Sequence, residues 1–211
     1  LGRLDVTRPL ESVGRLQLAL ERAELGAWEV WVDYPLPLAG RGGVRAWVEL
    51  DGGRTSAITA DLALDEVRTR LAPELAELRL DRLDGRLAAS RGPDGLDLSI
   101  RGLRLVSGDG LHLAPTDVSL ALVTGADAGG RLRATRLELA ALAGLAAQLP
   151  LPAEVRRRLA AFAPQGEVSD LRLEWRGEAG APAGWSLAGR FTGIGLAAEG
   201  RRPGMSGLSG A

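Results

Sequence analysis

The sequence predicts a mainly β protein: a curved antiparallel meander, bent like a half-pipe, with two short α-helices inserted near residues 138–163. Three observations predict it. Short segments alternate leucine or valine with a charged or small polar residue, glycine-rich breaks separate them, and one stretch alone changes to helical spacing. Leu16-Gln17-Leu18-Ala19-Leu20, Val44-Arg45-Ala46-Trp47-Val48-Glu49-Leu50, Leu96-Asp97-Leu98-Ser99-Ile100, Val118-Ser119-Leu120-Ala121-Leu122 and Leu171-Arg172-Leu173-Glu174-Trp175 all have period two. That spacing sends alternate side chains to opposite faces, so the sheet has one apolar face.

The breaks fall at Asp51-Gly52-Gly53, Arg91 to Gly95, Ser107 to Gly110, Thr124 to Gly130 and Glu178 to Gly184. Glycine supplies the positive φ of tight turns and Asp and Pro favour turn starts, so these are hairpin connections. None is long or polar enough to divide domains, and residues 1–211 read as one segment.

Within several strands the alternation changes phase. Ile58, Ala60, Leu62 and Leu64 share a parity that Val67 and Leu71 do not; the same shift separates Leu78 and Leu80 from Leu83 and Leu87, and Ile100 from Leu103 and Leu105. Each slip marks either a bulge that bends and twists one long strand, or a short break between two strands.

Helical spacing appears in Leu139, Leu142, Leu145 and Leu149, and again in Val155, Leu159 and Phe162, giving helices near 138–149 and 153–163. Pro152 and Pro164 are start and stop signals. The triplet Arg156-Arg157-Arg158 reads as a solvated helix face, or as a contact for phospholipid head groups or another acidic surface.

Composition narrows the function. Among 211 residues there is no cysteine, lysine or asparagine, and all 26 basic residues are arginine. A formal charge of −1 with interspersed signs argues against a nucleic-acid partner. Without cysteine there is no disulfide, thiolate nucleophile or cysteine metal site. No apolar run reaches the roughly 18 residues that span a membrane, and no signal peptide is evident. The ends, Leu1 and Pro203 to Ala211, show no terminal element and read as cuts within a longer polypeptide, with 203–211 leading into a next strand.

Catalytic patterns are missing. The one histidine, His112, sits between Leu111 and Leu113 without metal-ligand or triad spacing. Asp61, Asp65, Asp81, Asp84, Asp97 and Asp109 fall at polar-face or turn positions. Gly193 to Gly200 lacks the third glycine and following helix of a dinucleotide fingerprint. Trp28, Trp31 and Trp47 do not share one strand face, since Trp28 has the parity of Val30 and Val32 and the other two oppose it. No catalytic residue, metal site or cofactor is assigned.

The final third carries a recognisable arrangement. A short helix at Val155-Arg156-Arg157-Arg158-Leu159 precedes Ala163-Pro164-Gln165-Gly166-Glu167-Val168-Ser169-Asp170-Leu171, which enters a strand ending at Trp175; Trp185-Ser186-Leu187-Ala188-Gly189-Arg190-Phe191 and Pro203 to Gly210 follow. This resembles the central region of YhdP-like proteins, members of the AsmA-like group of long envelope proteins of Gram-negative bacteria. Tyr34-Pro35-Leu36-Pro37-Leu38 and Leu80 to Leu87 are compatible with it.

The resemblance implies the periplasmic part of an inner-membrane-anchored protein, with the anchor outside this segment. It implies a repeating β-groove that carries phospholipids between the inner and outer membranes, continued by neighbouring groove repeats of the same chain. It brings no catalytic motif. The groove would be lined by Leu16, Leu18, Leu20, Val30, Val32, Val48, Leu62, Leu98, Ile100, Leu120, Leu122, Leu171 and Leu173, and partly covered by lid helices through Leu142, Leu149, Val155, Leu159 and Phe162. The competing readings are a closed β-sandwich scaffold with the same residues as a dry core, and a carbohydrate-active enzyme.

Overall fold

A computed structural model describes residues 13–30, 38–52, 54–125, 127–149, 151, 153–178, 181–199 and 203–211. Its ten strands are β1 (Gly14–Glu24), β2 (Leu38–Asp51), β3 (Arg54–Thr69), β4 (Leu78–Gly92), β5 (Gly95–Ser107), β6 (His112–Val123), β7 (Gly129–Glu138), β8 (Gln165–Glu178), β9 (Ala181–Leu196) and β10 (Met205–Gly210). They form one sheet in sequence order, every neighbouring pair antiparallel. The sheet is an open, curved meander, since β1 pairs only with β2 and β10 only with β9 among the described residues.

Register makes the apolar face continuous. Leu16, Val48, Ile58, Ala89, Leu98, Leu120, Leu132, Leu173 and Leu187 stand opposite one another in turn across nine strands. Two residues along each strand, Leu18, Ala46, Ala60, Leu87, Ile100, Val118, Ala134 and Leu171 make a second such row. Directly opposed residues share a face, so both rows belong to the same side of the sheet. A one-residue slip would bring Arg15 or Gln17, Asp97 or Ser99, and Arg131 or Arg133 into the row in place of Leu16, Leu98 and Leu132, which is why the alternation fixes the register.

The phase changes in the sequence are bulges within long strands, not breaks between short ones. Between β2 and β3 the register shifts at Glu66 (φ 54°), between β5 and its neighbours at Gly102 (φ 59°), and between β8 and β9 at Asp170 (φ 52°). Gly102 can adopt the left-handed conformation without a Cβ penalty, and its freed N–H donates to Asp117 Oδ1 at 2.7 Å. A second register shift between β5 and β6, from Leu103 to Leu105, places Pro115 on β6, where it has no N–H to offer the ladder. In the central strands these bulges lie between the row Leu87–Ile100–Val118 and the row Leu83–Leu105–Leu113.

Two helices interrupt the meander between β7 and β8: α1 (Leu139–Leu145) and α2 (Ala153–Phe162). Helix α1 is shorter than the expected 138–149, because after Leu145 the chain passes into turns in which the Gln148 and Leu149 N–H groups both donate to the Leu145 carbonyl. The buried core forms where α1 meets the sheet. Ala141 and Leu145 pack with Leu64, Val67, Leu80, Leu105 and Leu113, and Leu25, Val44, Leu62, Leu83 and Leu149 surround them.

Two expectations are corrected. Residues 25–30 form a 3-10 turn (Leu25–Val30), not a strand, because Leu25 is drawn inward over Gly40 and Val67, so strand parity assigns nothing to Trp28 or Val30. The Val30 side chain, Trp31 and Val32 lie outside the described residues. The end, expected to show no terminal element, carries strand β10 at residues 205–210, paired to β9 through a register shift at Gly207 (φ 73°).

Candidate functional site

The two rows leave a broad apolar surface uncovered. In the first row Leu16 is 59% exposed, Ile58 41% and Leu187 58%, and no member is buried. In the second only Ala134 is buried. Soluble monomers rarely leave contiguous apolar patches beyond a few hundred Å² uncovered, so a face of this kind marks a contact surface.

The structure brings most of the sequence-selected residues together on this face. Leu16, Val48, Leu98, Leu120 and Leu173 lie in the first row, and Leu18, Ile100 and Leu171 in the second. Leu20 pairs with Val44 and Val44 with Leu62, placing them at the edge of the covered core, where Leu62 packs against it. Leu122 lies on the opposite side of the first row, towards the hairpin turns, in a line with Leu96, Gly130, Trp175 and Trp185. Sequence reasoning missed Ile58, Leu132, Leu187 and the Trp175–Trp185 pair; Arg131-Leu132-Arg133 carried the same alternation as the residues it found.

The other face is charged and internally paired. Arg15 and Glu49, Asp61 and Arg86, and Arg131 and Glu174 are directly opposed residues joined by ion pairs of 2.5, 2.5 and 2.9 Å. The hydrogen bonds from Arg86, followed by its charge, hold the Asp61 carboxyl below its ordinary pKa despite some desolvation. Exposed pairs of this type stabilise little, typically under about 1 kcal/mol. Their consequence is polarity: this face is charged where the other is apolar.

Helix α1 covers one part of the apolar face, burying Ala141, Leu145 and the adjoining Ala146. Leu142 is half-buried and Leu149 packs on the core. Its seat is close, since a Cβ on Gly144 would meet Leu111 Cδ1 at 2.8 Å. Helix α2 lies against α1 with no fully buried side chain: Leu159 and Phe162 are half-buried and Val155 is 40% exposed. Its arginines are engaged locally. Arg157 and Arg158 pair with Glu154, and Arg156 Nη1 donates to the Leu151 carbonyl at 2.6 Å.

Among the described residues, no group of three or more His, Asp or Glu side chains is placed to hold a metal ion. His112 is exposed at the start of β6, opposite Val106. Trp47 stands on the polar face between Gln17 and Thr59, opposite in sense to the leucine rows. No described helix is long and apolar enough to cross a membrane.

No curated protein and no solved structure matches the chain significantly. A family model does match, the one described as YhdP protein, and it extends over residues 2–211, well beyond the 150–210 region that carries the sequence resemblance. The chain belongs to the YhdP protein family.

Proposed function

We propose that this chain is a length of trough wall along which the acyl chains of phospholipids move across the periplasm, between the inner and outer membranes. Membership of the YhdP family is consistent with lipid transport in the cell envelope. The observation that carries the reading is the apolar row running without a polar interruption from Leu16 to Leu187.

Its length separates transit from storage. Strands sit about 4.8 Å apart, so a row crossing nine of them extends roughly 40 Å. One leaflet of a bilayer's hydrocarbon is about 15 Å deep, half of the 30 Å core. A binding pocket would match its ligand, whereas this row exceeds the depth of the lipid's acyl region more than twofold. Burying a methylene is worth about 0.8 kcal/mol, so a two-chain lipid of roughly thirty methylenes does not cross water at a useful rate. Along a uniform apolar wall the lipid exchanges one hydrocarbon surface for another, and the barrier falls without tight binding. Leu, Val, Ile and Ala discriminate little between head groups.

The test is photo-crosslinking in the full-length protein, with the probe placed at Leu98, Leu120 or Leu173, or on the opposite face at Arg45 or Arg172. Phospholipid captured by the first set and not the second supports the reading. Capture by neither set, or only at Arg45 and Arg172, overturns it.

A further inference from the structure

We infer that Trp175 and Trp185 form the site that holds each lipid at the level of its glycerol esters, with the head group at the hairpin rim and the acyl chains running inward along the strands. The inference rests on the lipid-carrying reading above and deepens it. The two tryptophans are directly opposed on β8 and β9, on the same face as the leucine rows. The Trp175 ring lies over Gly130 of β7, where any Cβ would collide with it. Trp185 beside it is 68% exposed, the most exposed aromatic among the described residues.

Chemistry changes in order along these strands. Ala134 and Leu171 stand nearest the bulges, then Leu132, Leu173 and Leu187, then Gly130 with the two indoles, and beyond them Asp127 ahead of β7 and Glu178 at the end of β8. Hydrocarbon, indole and charge follow one another as hydrocarbon, ester and charged head group do in a phospholipid. An indole has an apolar body and one N–H donor, and it concentrates where hydrocarbon meets polar carbonyls. A protein strand or a purely apolar ligand would not need that gradation.

The depth fits as well. From Trp175 to Leu171 is four residues, about 13 Å at 3.3 Å per residue, close to the 15 Å depth of one leaflet. A lipid held with its esters at the indoles therefore places its chain ends at the line of bulges, and it advances sideways from strand to strand.

Quenching of tryptophan fluorescence by brominated lipid tests this. The full-length protein is loaded with phosphatidylcholine brominated either at acyl carbons 4 and 5 or at carbons 11 and 12. The emission owed to the pair is obtained by subtracting a Trp175→Phe/Trp185→Phe variant; single variants replace it if the double variant misfolds. Because indoles favour the ester level, that emission should be quenched about twofold or more by the shallow bromines relative to the deep ones. Equal or deeper quenching, with lipid still crosslinking at Leu98 and Leu120, overturns the inference alone. Loss of crosslinking at those positions together with all quenching overturns the lipid-carrying reading itself.

Discussion

The two halves of each central strand are built from the same residues and end in opposite states. On the helix side of the bulges, Val67, Leu80, Leu105 and Leu113 are at most 7% exposed. On the hairpin side, Ile58, Leu87 and Leu98 are 36% exposed or more. Composition does not separate them, since both are leucine-rich and both alternate with charged or small residues. The difference is a partner: α1 lies on the first half and nothing in the described residues lies on the second. Burial of these strand halves thus depends on what packs over them, chiefly the seven-residue α1 with Leu25, Leu111 and Leu149 around it, while the strand pattern supplies only the potential for it.

The largest expected effect is a contrast in stability between the halves. Leu105→Ala removes a side chain from the covered core and should cost about 2–5 kcal/mol of unfolding free energy. Leu98→Ala, in the open row, should stay within about 1 kcal/mol, because little packing is lost where little existed. Urea unfolding monitored by circular dichroism measures both. Similar losses at the two sites would mean that the open row is covered in solution, and the contrast drawn above would fail.

A smaller effect should follow from loosening the cover itself. A helix of seven residues is too short to persist on its own, so α1 depends on its buried contacts. Leu145→Ala should cost about 2–3 kcal/mol and raise hydrogen exchange at Gln148 and Leu149, whose amides bond to the Leu145 carbonyl. Acyl chains should then reach probes placed at Leu64 or Leu83. Phe162→Ala should do less, since α2 has no fully buried side chain. Unchanged exchange at Gln148 and Leu149 in the Leu145 variant, or reduced lipid access, would show α1 to be ordinary core.

The apolar face, its register and its bulges could be read from the sequence, for a physical reason. Period-two alternation fixes the face and thereby the register, so Leu16, Leu98, Leu120 and Leu173 fall into one row. The phase slips at Leu64 to Val67 and Ile100 to Leu103 foretold bulges because a bulge is the way a long strand keeps its apolar side inward through a bend. What the pattern could not convey was which half is covered. Leu62 and Leu98 look alike in sequence, and only the docking of α1 nearby makes one part of the core's surround and leaves the other open. Residues 28–30 misled because Trp28 and Val30 alternate as a strand does, while the inward pull on Leu25 winds the backbone into a 3-10 turn. Trp175 and Trp185 lie ten residues apart, and their meeting depends on the β8–β9 register.

The smallest effect should come from a flaw within the covered half. Thr69 is 7% exposed, and its hydroxyl is the one buried side-chain polar atom among the described residues without a hydrogen-bond partner. It stands opposite Leu78, two residues beyond the buried Val67. A buried hydroxyl with no partner loses its hydration without compensation, a penalty of about 1–3 kcal/mol, part of which a same-shaped apolar replacement recovers. Thr69→Val should therefore stabilise the protein by about 0.5–1 kcal/mol, since Val keeps the β-branched shape and replaces the orphaned hydroxyl with a methyl only slightly larger. Lipid crosslinking at Leu98 and Leu120 should stay as in the parent, because the change lies on the far side of the bulges. A loss of more than about 1 kcal/mol would show that the hydroxyl has a partner in solution, such as a bound water. A change in crosslinking would show that the covered and open halves are coupled, so that α1 and the trough respond as one element.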